Sequence, residues 1–126
     1  MSEQQKTRVR CAHLLIKHTN SRNPISRRTN QQVTLTPQDA MTELQEMKAT
    51  ILQTAAASHD LGRAFSASAT QRSDCGSHSR KGDLGFFEKG QMQQPFEEAS
   101  WALEVGDMTE DVVDTDSGYH LIYRIA

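Results

Sequence analysis

The stretch Arg72-Ser73-Asp74-Cys75-Gly76-Ser77 places one of the chain's two cysteines between an acid and a glycine, in what reads as a loop. A thiol acts as a nucleophile or a stabilising anion only as its thiolate, which needs a neighbouring cation, N–H donor or base. His13 and His120 lie in stretches that alternate like strands, and they are the candidates for that partner. A cysteine with a histidine base is the pattern of a thiol hydrolase. No oxyanion-hole motif accompanies it, and no Asn or Asp is clearly placed to orient a histidine. Sequence spacing therefore leaves both a catalytic dyad and a chance neighbourhood open. The five histidines, His13, His18, His59, His78 and His120, lack the close His/Cys spacing of a zinc site, so no metal and no cofactor is expected.

The elements that must position these groups follow from periodicity. Residues 1–6 read as a disordered lead-in to a single domain over 7–126. "VRCAHLLIK" predicts a strand with Val9, Cys11, His13 and Leu15 on one face and Ala12, Leu14 and Ile16 on the other. From His18 to Gln32 the chain is polar, and a loop of that length inside a compact domain is usually functional or disordered. "TPQDAMTELQEMKATILQTAAASH" predicts a helix capped by Thr36, with Pro37 in its first turn and a buried stripe of Ala40, Leu44, Met47, Ile51 and Ala55. A second helix is predicted over Arg63–Gln71 and a strand near Leu84–Phe87. A third helix is expected from Pro95, with Phe96, Ala99 and Leu103 on one face and Gly106 as its stop. Val112–Val113, the Asp116-Ser117-Gly118 turn and "YHLIYRI" supply the last two strands. Clustered helices without β-α alternation predict an α+β fold with a mostly antiparallel sheet.

Bulk properties narrow the function. A net charge of −2 argues against a general polyanion binder. Seven of the fourteen Lys and Arg residues nevertheless lie between Lys6 and Arg28, a span with no acid, while six acids fall between Glu104 and Asp116. The basic stretch contains no aromatic residue for base stacking, so no specific nucleic acid is expected as a partner. No apolar run of membrane-spanning length is present and the polar start lacks the core of a signal peptide. No membrane association is expected; an intracellular, reducing compartment is.

Three segments, "CAHLLIKH", "SDCGSHSRKGDLGFFEKGQMQQPFEEASWAL" and "TDSGYHLIYRI", carry a resemblance that runs from about Arg8 to Ala126. Together and in this order they resemble the parvulin family of peptidyl-prolyl cis-trans isomerases. The resemblance implies a parvulin (FKBP-like) fold, a four-stranded mostly antiparallel sheet surrounded by three to four helices. It also implies a cofactor-free isomerase, most simply a monomer, found in the cytoplasm and also in the nucleus. The loop with Lys17, Ser21 and Arg22 resembles the branch specific for phospho-Ser/Thr-Pro, whose partners are phosphorylated proteins. Many members of that branch carry a WW domain; the catalytic domain alone is expected here.

Residue by residue, the resemblance implies a proline pocket of Leu84, Met92, Gln93 and Phe96. It implies a polar site of His13, Cys75 and His120 with the hydroxyls of Thr115 and Ser117. Cys75 occupies a position that holds Cys or Asp in the family, which suits an anionic group better than an obligatory nucleophile. Asp74 and Gly76 are read as shaping the loop that presents the thiol. Lys17 and Arg22 match the family's phosphate-reading cations, both expected to be exposed, but Asn23 stands where a second Arg is usual. Arg27 and Arg28 are the candidates to replace it. The rival reading is a module that holds phosphopeptides in the same groove without turnover.

Overall fold

A computed structural model describes residues 8–126, so the expected lead-in over residues 1–6 lies outside the described residues. The elements are β1 (Arg8–Ile16), α1 (Pro37–Ser58), α2 (Leu61–Arg72), a 3-10 helix (Gly76–Arg80), β2 (Asp83–Glu88), α3 (Gln94–Ala102), β3 (Val113–Thr115) and β4 (Gly118–Arg124). The four strands form one sheet in the order β2-β1-β4-β3, and every neighbouring pair is antiparallel. The α+β class and the antiparallel sheet are as expected.

The alternation in β1 sorts the core into two halves. Ala12, Leu14 and Ile16 pack with Leu44, Ile51 and Phe65 of α1 and α2, while Val9 and Cys11 pack with Phe87, Phe96 and Ile122. One face of the sheet is thus closed by two helices, and the other is only partly covered by α3. His13 is on that second face, because side chains two apart in a strand share a side.

Local chemistry sets the boundaries. Thr36 caps α1 by accepting from the Asp39 N–H (3.1 Å). Asp60 does the same for α2 from Arg63, which moves the start of that helix ahead of the expected Arg63. α3 ends at Ala102, short of the expected stop at Gly106. Arg124 explains the early end: its guanidinium donates to the Leu103 carbonyl (2.7 Å), and its backbone exchanges hydrogen bonds with Gly106 and Asp107. The chain is drawn onto the end of β4 instead of continuing as helix.

Two glycines allow close approaches beside the site. Gly82, at φ +80°, donates to the Ser77 carbonyl, and its own carbonyl accepts from the His13 N–H (2.9 Å); a Cβ there would lie 2.5 Å from the His13 oxygen. Gly118, at φ +141°, would place a Cβ 2.7 Å from the Ile16 oxygen. Only glycine lets the 3-10 segment and the β3–β4 turn lie flat against β1.

Candidate active site

The partly covered face carries two adjoining cavities. One, about 340 Å³, is lined by His13, Leu84, Gln91, Met92, Gln93, Phe96, Thr115 and His120. The other, about 190 Å³, is lined by Leu15, Lys17, Asn23, Arg27 and Cys75. Arg22 and Ser117 form part of both, so the two share a wall. A larger, open depression of about 570 Å³ along α2, with Arg63, Thr70 and Lys81 in its lining, gathers no thiol, histidine or aromatic wall. Size alone would select it; chemistry does not.

The first cavity is apolar below and polar above. Phe96, 4% exposed, meets His13 and His120 edge-on at ring-centroid distances of 5.5 and 5.2 Å. The two imidazoles stack at 5.1 Å, with their Nδ1 atoms 3.0 Å apart, so one ring donates an N–H to the other. His120 Nε2 is 2.6 Å from Thr115 Oγ1, and the Ser117 N–H donates to that same oxygen (3.2 Å). Burial, reinforced by the neighbouring His13, pushes the His120 pKa well below its ordinary value. His120 is therefore a neutral ring with a single N–H. Gln93 makes no side-chain cap for α3, because its amide is used elsewhere. Its oxygen accepts from the Asp116 N–H (3.0 Å) and its nitrogen donates to Ser117 Oγ (3.0 Å), tying α3 to the β3–β4 turn.

Cys75 lies between α2 and the 3-10 helix, half-buried at the mouth of the second cavity. Burial raises its pKa, but His13, by hydrogen bonding and charge, and the hydroxyl and N–H of Ser77 outweigh it and bring the value to about 6. The Ser77 N–H donates to Sγ at 3.5 Å. His13 Nε2 is buried and makes no hydrogen bond of full geometry. Cys11 is the opposite case: fully buried in the apolar core, its thiol is pushed up to about 11. Among the described residues, no three His, Cys, Asp or Glu side chains come together as a metal site.

The expected cations separate. Arg22 and Arg27 are exposed along the second cavity. Lys17 is also there but is 6% exposed rather than open to solvent, its ammonium donating to the Ile25 carbonyl (2.7 Å). Its pKa is lowered, by burial first and then by Arg27. Arg28 does not line either cavity; its backbone N–H donates to Ser26 Oγ and its Nε is buried. Sequence reasoning missed Leu15, Gln91 and Ser77. Ser77 had one usable signal, its place two residues after the thiol; the other two look like ordinary strand and loop residues.

An antiparallel sheet with two helices behind it and an apolar cavity joined to a cationic cleft in front defines the class, a small α+β domain built around a groove. The family model described as "Rotamase: PPIC-type PPIASE domain" matches residues 13–126, and this chain belongs to that family. It is 50% identical over 119 residues to the peptidyl-prolyl cis-trans isomerase NIMA-interacting 1 of Theileria annulata, covering 94% of this chain and 80% of that one. It is 43% identical over 125 residues to the peptidyl-prolyl cis-trans isomerase Pin1 of Arabidopsis thaliana, covering 96% and 98%. Among solved structures, the peptidyl-prolyl isomerase ESS1 from Candida albicans superposes with a TM-score of 0.84 at 40% identity, over 95% of this chain and 63% of that one. The solution structure of TbPIN1 gives 0.78 at 46% identity, over 95% and 98%.

Proposed function

We propose that this peptidyl-prolyl cis-trans isomerase acts on prolyl bonds that follow phosphoserine or phosphothreonine in other proteins. The observation that carries the reading is the shared wall: a cleft with Lys17, Arg22 and Arg27 opens directly beside a cavity with Leu84, Met92 and Phe96. A phosphorylated residue and the proline that follows it are adjacent in sequence, so their two recognition sites must be adjacent in space. Arg22 and Arg27 pair with phosphate oxygens through planar forks, and Lys17 adds a point charge. Asn23 contributes a neutral amide where a third fork would strengthen the grip.

The reaction breaks no bond. Rotation about the prolyl amide crosses about 18–20 kcal/mol because it interrupts amide resonance. An enzyme lowers that barrier by holding the twisted amide better than either planar form, with about tenfold in rate for each ~1.4 kcal/mol of preference. Leu84, Met92 and Phe96 hold the ring while Gln93 fixes the rim of the pocket. Cys75 faces the carbonyl as a thiolate. Negative charge there opposes the C–O⁻ character of the planar amide and so favours the twisted one.

The histidines orient that charge. The Thr115 hydroxyl donates to His120 Nε2, and His120 Nδ1–H donates to His13 Nδ1. That order places a His13 N–H at Nε2, toward Cys75, the thiol that His13 draws down. Ser117 supplies a hydroxyl at the junction of the two cavities. The test is an exchange or protease-coupled assay on a phospho-Ser-Pro peptide and its unphosphorylated twin. Faster turnover of the phosphopeptide is expected; equal rates would overturn the phosphate specificity.

A further inference from the structure

The long polar loop after β1 carries Arg22 and Arg27 with little apolar packing to hold it, and a site that reads phosphate needs its cations held in place. A buried carboxylate ties this loop to the rest of the fold at two points. Asp74, 2% exposed, accepts from the Lys17 N–H through Oδ2 (2.9 Å) and from the Ser26 hydroxyl through Oδ1 (2.7 Å). The same Oδ1 accepts from Arg72 Nη1 (3.0 Å), and Arg72 in turn is paired with Glu43 of α1. The Asp74 backbone completes the anchor: its N–H donates to the Leu15 carbonyl (2.7 Å), and its carbonyl accepts from the Arg27 N–H (2.9 Å). Ser26 passes the constraint on by accepting from the Arg28 and Thr29 N–H groups.

We propose that Asp74 is a positioning residue for phosphate recognition: its buried carboxylate clamps the segment at Lys17 and Ser26, its backbone carbonyl holds Arg27, and together they set the spacing of the cations beside Cys75. The proposal rests on the phospho-Ser/Thr-Pro reading above. Asp74 touches no substrate; it acts through Lys17, Ser26 and Arg27. The role is counterintuitive in sign, because a negative charge behind a phosphate site repels the ligand. Geometry and field therefore make opposite forecasts for its removal.

The test compares kcat and KM of wild type, D74N and S26A on a phospho-Ser-Pro peptide and its unphosphorylated twin. In D74N the new NH2 either opposes the Arg72 donor or forfeits the Lys17 N–H bond. S26A removes one strut and leaves the charge intact. The expected result is a phospho-to-unphosphorylated ratio of kcat/KM lower by about tenfold in D74N and about threefold in S26A, the loss appearing in the phosphopeptide KM and not in kcat. A ratio that rises in D74N, as the field alone dictates, or that is unchanged in both variants overturns the proposal. If D74N fails to fold, S26A decides by the same criterion. Equal wild-type rates on the two peptides overturn the phosphate reading and the proposal with it, whereas a wild-type preference that survives both substitutions overturns the proposal alone.

Discussion

Half of the apolar cavity's lining comes from regular elements: His13 from β1, Leu84 from β2, Phe96 from α3, Thr115 from β3 and His120 from β4. Those of the cationic cleft come mainly from a loop, where Arg22, Asn23 and Arg27 belong to neither helix nor strand. In the cavity a side chain's place is fixed by the packing that stabilises the fold, since Phe96 packs with Val9, Cys11 and Ile122. In the cleft it is fixed by polar bonds to distant residues, Arg22 N–H to the Asp116 carbonyl (2.7 Å) and Lys17 and Ser26 to Asp74. The difference teaches where each kind of recognition is vulnerable. Damage to the cavity is damage to stability, whereas the cleft can be retuned with the core intact.

Phe96→Ala should cost about 3–5 kcal/mol of stability along with activity, because one ring serves core and pocket; a thermal melt within a degree or two of wild type would break the claim that the two are one structure. Cys75→Ala should lower kcat/KM by about 100-fold with little change in folding, while Cys75→Asp stays within about tenfold of wild type, as expected of an electrostatic role. The same role fixes the pH profile. The wild-type rate falls as pH drops through about 6, where the thiolate is protonated and the charge is lost. In Cys75→Asp that fall moves down into the carboxylate range.

Lys17→Ala is expected to lower the phospho-to-unphosphorylated ratio by about 30-fold and also to cost about 1–2 kcal/mol, since its ammonium holds the Ile25 carbonyl. Arg22→Ala, fully on the surface, should lower the ratio about fivefold without moving the melting temperature. A stability cost shared by both would erase the distinction between a buried and an exposed cation. The smallest effect is a gain: Asn23→Arg should raise the ratio about threefold by restoring a fork to the cleft.

The two regions also differed in how far the sequence disclosed them. The two-residue period of β1 separated Ala12, Leu14 and Ile16 from Val9, Cys11 and His13, and the structure divides its core along that line. Thr36 announced the start of α1 through its capping chemistry. The 3-10 turn at Gly76–Arg80 has no apolar period to announce it. The end of α3 depends on Arg124, far along the chain, and so no local signal marked it. Lys17 was expected at the surface because charged residues in polar loops usually are; its partners, the Ile25 carbonyl and the Asp74 network, are tertiary. The positions of Cys75, His13 and His120 came only from resemblance, since nothing local brings residues from three distant segments together.

The contrast between the two thiols has a practical side. Cys75 is half-open and ionised near neutrality, while Cys11 is sealed in the core with a pKa about 11. A mild electrophile at neutral pH will therefore find a single address on each folded molecule. That gives the protein an intrinsic gauge. The rate of labelling at one sulfur reads how much of the groove is covered, so occupancy by an untagged peptide can be followed without any engineered probe. Appearance of a second label per chain marks the moment the core opens.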